Sequence, residues 1–214
     1  MDNRVRRSTP VPRSSVVRSD SVVPDATAYR NYADLATAQL LDRDFRIEVL
    51  RRPDSPVAVI APHGGGIEDG TSELAGAIAG AEFNLYRFEG TRSKHNYRAL
   101  HLTSHRFDEP QCLRLLSTCR YVIAVHGCRG AGHEVLLGGR DSELRGRILA
   151  GVRGAGIAAR DEDHEFPAIH PDNVCNRGAS RMGVQVEVTH ELRRSERARD
   201  LAAAIRAVLA ALPP

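Results

Sequence analysis

Apolar positions along the chain fall into runs of two periods, and the alternation between them predicts the architecture. Residues 32–41 (YADLATAQLL) have helical spacing, whereas residues 45–52 (FRIEVLRR) alternate as a half-buried strand does. An unbroken apolar run, VAVIAP (57–62), stops at the glycine-rich turn HGGGIEDG (63–70), and TSELAGAIAGA then returns to helical spacing, with Thr71 or Ser72 as the expected N-cap. Further strands are predicted at NLYRF (84–88), YVIAV (121–125) and GVQVEVT (183–189). Helices are predicted at PQCLRLLSTC, where Pro110 suits a first turn, at DSELRGRILAGVRGAG, and over residues 195–212. In the last of these, Ala198, Leu201, Ala202, Ile205, Val208, Leu209 and Leu212 share one face. The stretches 89–104 and 160–183 read as polar and loop-rich.

Strands alternating with helices imply one α/β domain: a mixed, mostly parallel sheet flanked by helices on both faces. Such sheets place their sites beyond the C-terminal ends of the strands. A chain of 214 residues suits a single domain. Residues 1–27, rich in Arg, Ser and Pro without a sustained period, are expected to be a disordered tail, leaving 28–214 as the folded domain. The tail's Arg4, Arg6, Arg7, Arg13 and Arg18 could meet an acidic partner or simply be solvated.

Composition narrows the function classes. With 30 basic and 27 acidic residues the net charge is +3, smaller than the basic footprint that nucleic-acid binding leaves. There is no Trp to stack bases, so a nucleic-acid partner is not expected. The four cysteines, Cys112, Cys119, Cys128 and Cys175, form no CxxC pair and read as reduced thiols. No apolar stretch approaches a membrane span, and the N-terminus lacks the apolar core of a signal peptide. The expectation is therefore a cytoplasmic protein, with release by lysis as the other route, acting as a monomer without a membrane partner.

Two histidines stand directly after apolar runs: His63 after VAVIAP and His126 after YVIAV, each followed by glycine. In a parallel sheet both lie at the same edge, held by strand ends, as metal ligands must be. Glu68 lies beyond three glycines that permit a loop tight enough to bring its carboxylate back to His63. Two imidazoles and a carboxylate make a typical catalytic zinc set with a fourth position left for water. Each histidine alone reads equally as a hydrogen-bonded structural residue; the pair at equivalent strand ends points to metal. In GVQVEVT, Val184, Val186 and Val188 face one side and Gln185, Glu187 and Thr189 the other. Glu187 is then either a residue on the wet face of an edge strand or a general base for a metal-activated water. Arg177, in the loop before that strand, is a candidate for holding a substrate carboxylate or a developing oxyanion, or else an ordinary surface arginine. The segment TSHRFDEP (103–110) could cap the helix at Pro110 or support the metal ligands. Nucleotide-loop and serine-nucleophile patterns are absent, and Cys128 near His126 does not by itself make a dyad.

These same residues carry a resemblance. HGGGIEDGTSELAGAIAG, YRFEGTRS, LHLTSHRFDEP, VIAVHGCRG, NVCNRG and GVQVEVTHELR, in this order from about Tyr29 onward, resemble the poly-γ-glutamate hydrolase family known from bacteriophages and bacteria. The family is similar to a trimmed zinc carboxypeptidase core, a phosphorylase/hydrolase-like fold. The resemblance implies one zinc ion held by His63, Glu68 and His126, with Glu187 at the acid/base position, and cleavage of γ-glutamyl amide bonds. Arg177 is a weaker correspondence, because carboxypeptidases place their Asn-Arg pair before the third zinc ligand and Asn176-Arg177 comes after it. An anionic γ-glutamyl substrate would suit Arg177 together with Arg92, Lys94 or Arg129. Two rival readings are a zinc amidohydrolase of a small acyl-amino acid and a non-enzymatic, replication-associated phage binding protein.

Overall fold

The alternating runs assemble into a seven-stranded mixed sheet in a computed structural model that describes residues 29–213. The segment 1–27, read above as a tail, lies outside the described residues. The chain runs through α1 (Tyr32–Ala38), β1 (Phe45–Leu50), β2 (Val57–Gly65), α2 (Thr71–Ala79), β3 (Asn84–Gly90), α3 (Asn96–Leu100) and α4 (Pro110–Leu116). It continues with β4 (Tyr121–Cys128), β5 (Glu134–Gly138), α5 (Ser142–Gly154), β6 (Ala158–Arg160), β7 (Val184–Thr189), α6 (His190–Arg194) and α7 (Arg197–Ala210). Short 3-10 turns at Ser104–Arg106 and Val174–Arg177 complete it. The strand order is β1-β3-β2-β4-β7-β5-β6. The centre, β3-β2-β4-β7, is parallel throughout; β1 joins β3 and β5 joins β7 in antiparallel fashion, and β6 runs parallel to β5.

Alternate residues of the central strands feed two cores. Val57, Val59, Ile123, Val125, Val184, Val186 and Val188 pack beneath Leu74 and Ile78 of α2, Leu144 and Ile148 of α5, and Leu201 and Ile205 of α7. Ala58, Ile60, Val122 and Ala124 face the other way, against Leu35, Phe88, Leu100, Phe107 and Leu115. Each buried Val, Leu or Ile side chain stabilises the fold by about 1.5–3 kcal/mol relative to leaving it in water. Because β7 lies between β4 and β5, it is an interior strand, and the edge-strand reading of Glu187 does not hold.

The structure departs from the sequence pattern where local signals are short. β5 and β6 were not expected; β5 is five residues preceded by Gly130, Ala131 and Gly132, too brief for a period to emerge. The N-cap of α2 is Gly70, in the left-handed region at φ 89°, and not Thr71 or Ser72. Thr71 instead turns its hydroxyl back onto the His63 and Glu68 carbonyls.

The β2–β3 register slips between Ala61 and Gly64, so one extra residue bulges from β2 at Pro62-His63. Proline, with no N–H to give the ladder, suits such a place. The bulge turns His63 away from the pleat and toward the end of β4. The loop-rich region 160–183 is fixed by Asn176, whose fully buried amide donates to the Ala168 and His170 carbonyls at 2.8 and 3.0 Å. Replacing it strands both carbonyls: Asn176→Ala should cost about 2 kcal/mol, measured as a lowered urea midpoint at an unchanged m-value.

Candidate metal centre

Neighbouring parallel strands bring side chains together at the sheet's C-terminal edge. β4 ends in His126-Gly127-Cys128, and His126 is in register with Glu187 of β7. Both belong to the same face of the sheet as Val122, Ala124 and Gln185, by the two-residue period of a strand. On the other side of β4, the bulge of β2 presents His63. From there HGGGIED closes tightly: the Glu68 N–H donates to the His63 carbonyl at 3.0 Å. Gly65, at φ 60°, lies against β3 so closely that a Cβ would come within 2.6 Å of the Gly90 carbonyl oxygen. Glycine is required there for the loop to turn back.

The result is a buried cluster of donors. His63 Nδ1 lies 3.1 Å from Glu68 Oε1 and 3.1 Å from His126 Nδ1, and His126 Nδ1 lies 3.9 Å from Glu68 Oε2. Both imidazoles are about 2% exposed. The Leu102 carbonyl sits 2.8 Å from His63 Nε2, so the ring carries its proton there and turns the Nδ1 lone pair inward. The Gly127 N–H donates to Glu68 Oε2 at 2.7 Å, tying the carboxylate to the end of β4. Burial raises the proton affinity of the Glu68 carboxyl, but His63, His101 and His126 outweigh that effect and hold it well below the usual carboxylate range. Burial, reinforced by His63, pushes His126 down to about 3, so its ring is neutral and able to ligate.

These atoms fit a divalent cation. Donors around one tetrahedral zinc stand about 3.3 Å apart, given Zn–N and Zn–O lengths near 2 Å, and the cluster already has that scale. His126 Nε2 is buried and makes no hydrogen bond among the described residues, so what bears on its tautomer is the His63 Nδ1 lone pair 3.1 Å from its Nδ1. A cation at Nδ1 would fix it.

The sequence did not single out a fourth donor, His101. His101 Nε2 lies 3.6 Å from Glu68 Oε1, and its ring stacks between His63, at 4.1 Å, and Tyr97, at 4.4 Å. His63, Glu68 and His101 also form a set whose ligand atoms lie within 4.8 Å of one another. His101 follows the short helix α3 inside a polar stretch, with no strand end to mark it. Its place in LHLTSHRFDEP, beside the carbonyl that orients His63, was the available signal.

Glu187 is 5% exposed and accepts a hydrogen bond from Gln185 Nε2 at 2.9 Å. Gln185 Oε1 in turn accepts from Asn173 Nδ2 at 2.9 Å. Burial, together with the like charge of Glu68, raises the proton affinity of Glu187 well above the ordinary carboxyl value. Cys128 is no rival nucleophile: burial, with Glu187 nearby, pushes its thiol up to about 12. All four cysteines are free and buried, as composition suggested.

A cleft of about 360 Å³ opens onto the cluster, with His63, His101, Thr103, His105, Glu165, His170, Asn173 and Gln185 among its walls. Arg177 does not line it; its guanidinium lies 3.5 Å from Asp172. Arg92 is engaged by Asp44 and Gln39, and Lys94 and Arg129 are exposed elsewhere. The segment 103–110 divides its roles: Glu109 caps α4 through the Gln111 and Cys112 N–H groups, Asp108 accepts from the Tyr32 N–H, and His105 faces the cleft.

Fold and site together describe an α/β protein with a buried His/Glu cluster at the carboxyl edge of a parallel sheet. Residues 29–199 match the family model described as poly-gamma-glutamate hydrolase, and the chain belongs to that family. Among curated relatives, the UPF0714 protein YndL of Bacillus subtilis (strain 168) is 34% identical over 169 residues, covering 78% of this chain and 66% of YndL. The SPbeta prophage-derived UPF0714 protein YoqZ of the same strain is 39% identical over 143 residues, covering 66% of this chain and 52% of YoqZ. The chain thus spans between about half and two thirds of these relatives' length. The solved structure of a bacteriophage poly-gamma-glutamate hydrolase superposes with a TM-score of 0.81 at 34% identity, over 85% of this chain and 96% of that one. Zinc-free YndL superposes at 0.79 and 29% identity, over 86% and 97%. Among the described residues no helix is long and apolar enough to cross a membrane.

The His126 environment gives a pH test on metal-free protein. Its folded value lies below the ordinary ~6.5, so the stability it confers is complete above that pH and is lost as pH falls toward 3. Between pH 6.5 and 5 the wild type should lose up to about 2 kcal/mol more than His126→Asn. Glu187, whose shift has the opposite sign, is common to both proteins. Equal pH slopes in denaturant unfolding would contradict a neutral, buried His126.

Proposed function

We propose that the chain is a zinc-dependent hydrolase of γ-glutamyl amide bonds in poly-γ-glutamate, with a single ion held by His63 Nδ1, Glu68 and His126 Nδ1. The observation that carries this reading is the convergence of those three donors at zinc spacing, with the His63 tautomer set by the Leu102 carbonyl. The solved relative prepared as zinc-free YndL supports it. When bound, the cation supplies Lewis acidity to the scissile carbonyl and makes a water molecule acidic enough to attack near neutral pH.

The chain's own residues do the rest. Glu187, held by Gln185 and Asn173, accepts the proton of the attacking water and hands it to the leaving nitrogen as the C–N bond breaks. Its raised proton affinity suits the second half of that cycle, in which it must act as an acid. Glu68 and the two imidazoles keep their charge state throughout. Arg177, in the turn that also carries Asn173 of the cleft wall, remains the cation assigned to the substrate's carboxylates, released from Asp172 when they arrive. The substrate is thus an anionic γ-glutamyl chain, acted on by a monomer.

Metal content and turnover separate the roles. His126→Ala should lose zinc and activity together, whereas His101→Ala should keep the metal, which places His101 on the substrate side of the cluster. The opposite pattern would make His101 the third ligand. Glu187→Gln should retain zinc and lose about 10³-fold in kcat, the middle of the range for a positioned acid/base.

Chain-length dependence tests the substrate. Release of oligomers from poly-γ-glutamate, with rates rising over the first several residues, is expected. Cleavage confined to a single acyl-amino acid would instead establish the small-molecule amidohydrolase reading while leaving the metal centre intact.

A further inference from the structure

Arg193 lies on the short helix α6, four residues past the end of the functional stretch of β7, and is half-buried behind the metal cluster. Its hydrogen bonds go to three backbone carbonyls on three separate segments. Nε donates to Asp69 at 2.8 Å, and Nη1 donates to Cys128 at 3.4 Å and to Val188. Asp69 follows Glu68, Val188 follows Glu187, and Cys128 closes the strand end His126-Gly127-Cys128. One planar group therefore touches the main chain beside each of the elements that deliver Glu68, His126 and Glu187. The ends of β4 and β7 are already paired as neighbouring strands, whereas the Glu68–Asp69 loop is tied to them by the Gly127 N–H bond to Glu68 and by this guanidinium.

The surroundings are shaped to admit the guanidinium. A Cβ on Gly127 would lie 2.4–2.7 Å from its carbon and nitrogens. A Cβ on Gly70, in the left-handed region at φ 89°, would press on the Arg193 stem at 3.2 Å. The glycine after His126 thus has a second purpose beyond chain flexibility: it leaves room for a cation behind the strand end. The charge also bears on the site. Burial lowers the proton affinity of Arg193, while Glu68, Cys128, Glu187 and Asp69 lie near enough to raise it. Lysine, a single-point donor, could not reach three divergent carbonyls as the guanidinium fork does.

We propose that Arg193 is a positioning residue for the reaction: a single guanidinium, seated against Gly127, that pins the Glu68–Asp69 loop to the paired ends of β4 and β7, which carry His126 and Glu187. It touches neither substrate nor metal, and it acts through the backbone on the groups that do. The inference rests on the zinc-hydrolase reading above. Removal should therefore loosen the metal centre and shift Glu68 relative to His126 and Glu187 without changing how substrate docks in the cleft.

The test uses full-length protein, zinc affinity by competition with a chromophoric chelator, and separate kcat and KM on poly-γ-glutamate. Arg193→Met should bind zinc at least about ten-fold more weakly, the usual cost of losing a group that orients metal ligands. It should also lose more than about ten-fold in kcat at saturating zinc, with KM within about two-fold of wild type. Arg194→Met, which removes the exposed neighbouring arginine paired with Asp69, is the control and should match wild type. Gly127→Ala, which keeps the charge but displaces it, should reproduce the Arg193→Met phenotype. Should Arg193→Met fail to fold, Arg193→Lys and Gly127→Ala carry the test, each expected to show weaker zinc binding and lower kcat at unchanged KM. Variants that fold and match Arg194→Met in both readouts overturn the proposal, whatever their melting temperatures. A wild-type protein that neither binds zinc nor cleaves the polymer would instead reject the zinc-hydrolase reading.

Discussion

Two ring nitrogens 3.1 Å apart with a carboxylate beside them, all removed from water, form the constraint on which the rest of the structure depends. Lone pairs and negative charge gathered in this way repel one another, and burial strengthens the repulsion. The fold nevertheless holds them in place through main-chain contacts. The Leu102 carbonyl fixes one ring, the Gly127 N–H fixes the carboxylate, and parallel pairing sets His126 beside Glu187. The cation proposed above would relieve what the backbone enforces.

The two polar acid residues of the cluster show how environment divides labour between like groups. Glu68 sits among imidazoles and a peptide N–H and stays ionised. Glu187 sits among amides in a dry part of the sheet and holds its proton more tightly. Two carboxylates pushed in opposite directions by their surroundings can act as ligand and as acid/base without exchanging roles.

Much of this was legible in the sequence because strand ends leave marks. VAVIAP-His and YVIAV-His announce both the strands and the edge where they stop, the three glycines announce a loop that returns Glu68, and the alternation in GVQVEVT assigns Glu187 to the face opposite the valines. The mixed, mostly parallel sheet followed from the same runs. What escaped had no period to betray it. His101, just past one five-residue helix, and Arg193, within another, take directions that tertiary contact alone sets. β5 and β6 are too short to show a pattern, and the left-handed Gly70 displaced the N-cap expected at Thr71 or Ser72. Arg177 pairs with Asp172 and stays off the cleft wall, an orientation that no spacing encodes.

The bulge at Pro62-His63 separates two demands that one strand would otherwise have to meet at once. Upstream, Val57 to Ala61 obey the pleat and can be exchanged among apolar residues of similar volume as the interior drifts. Downstream, the imidazole takes its aim from the slipped register and not from that pleat. A lineage carrying this irregularity can thus rewrite its interior while leaving its chemistry untouched, and the same partition offers an engineer a strand whose hidden half is free to redesign.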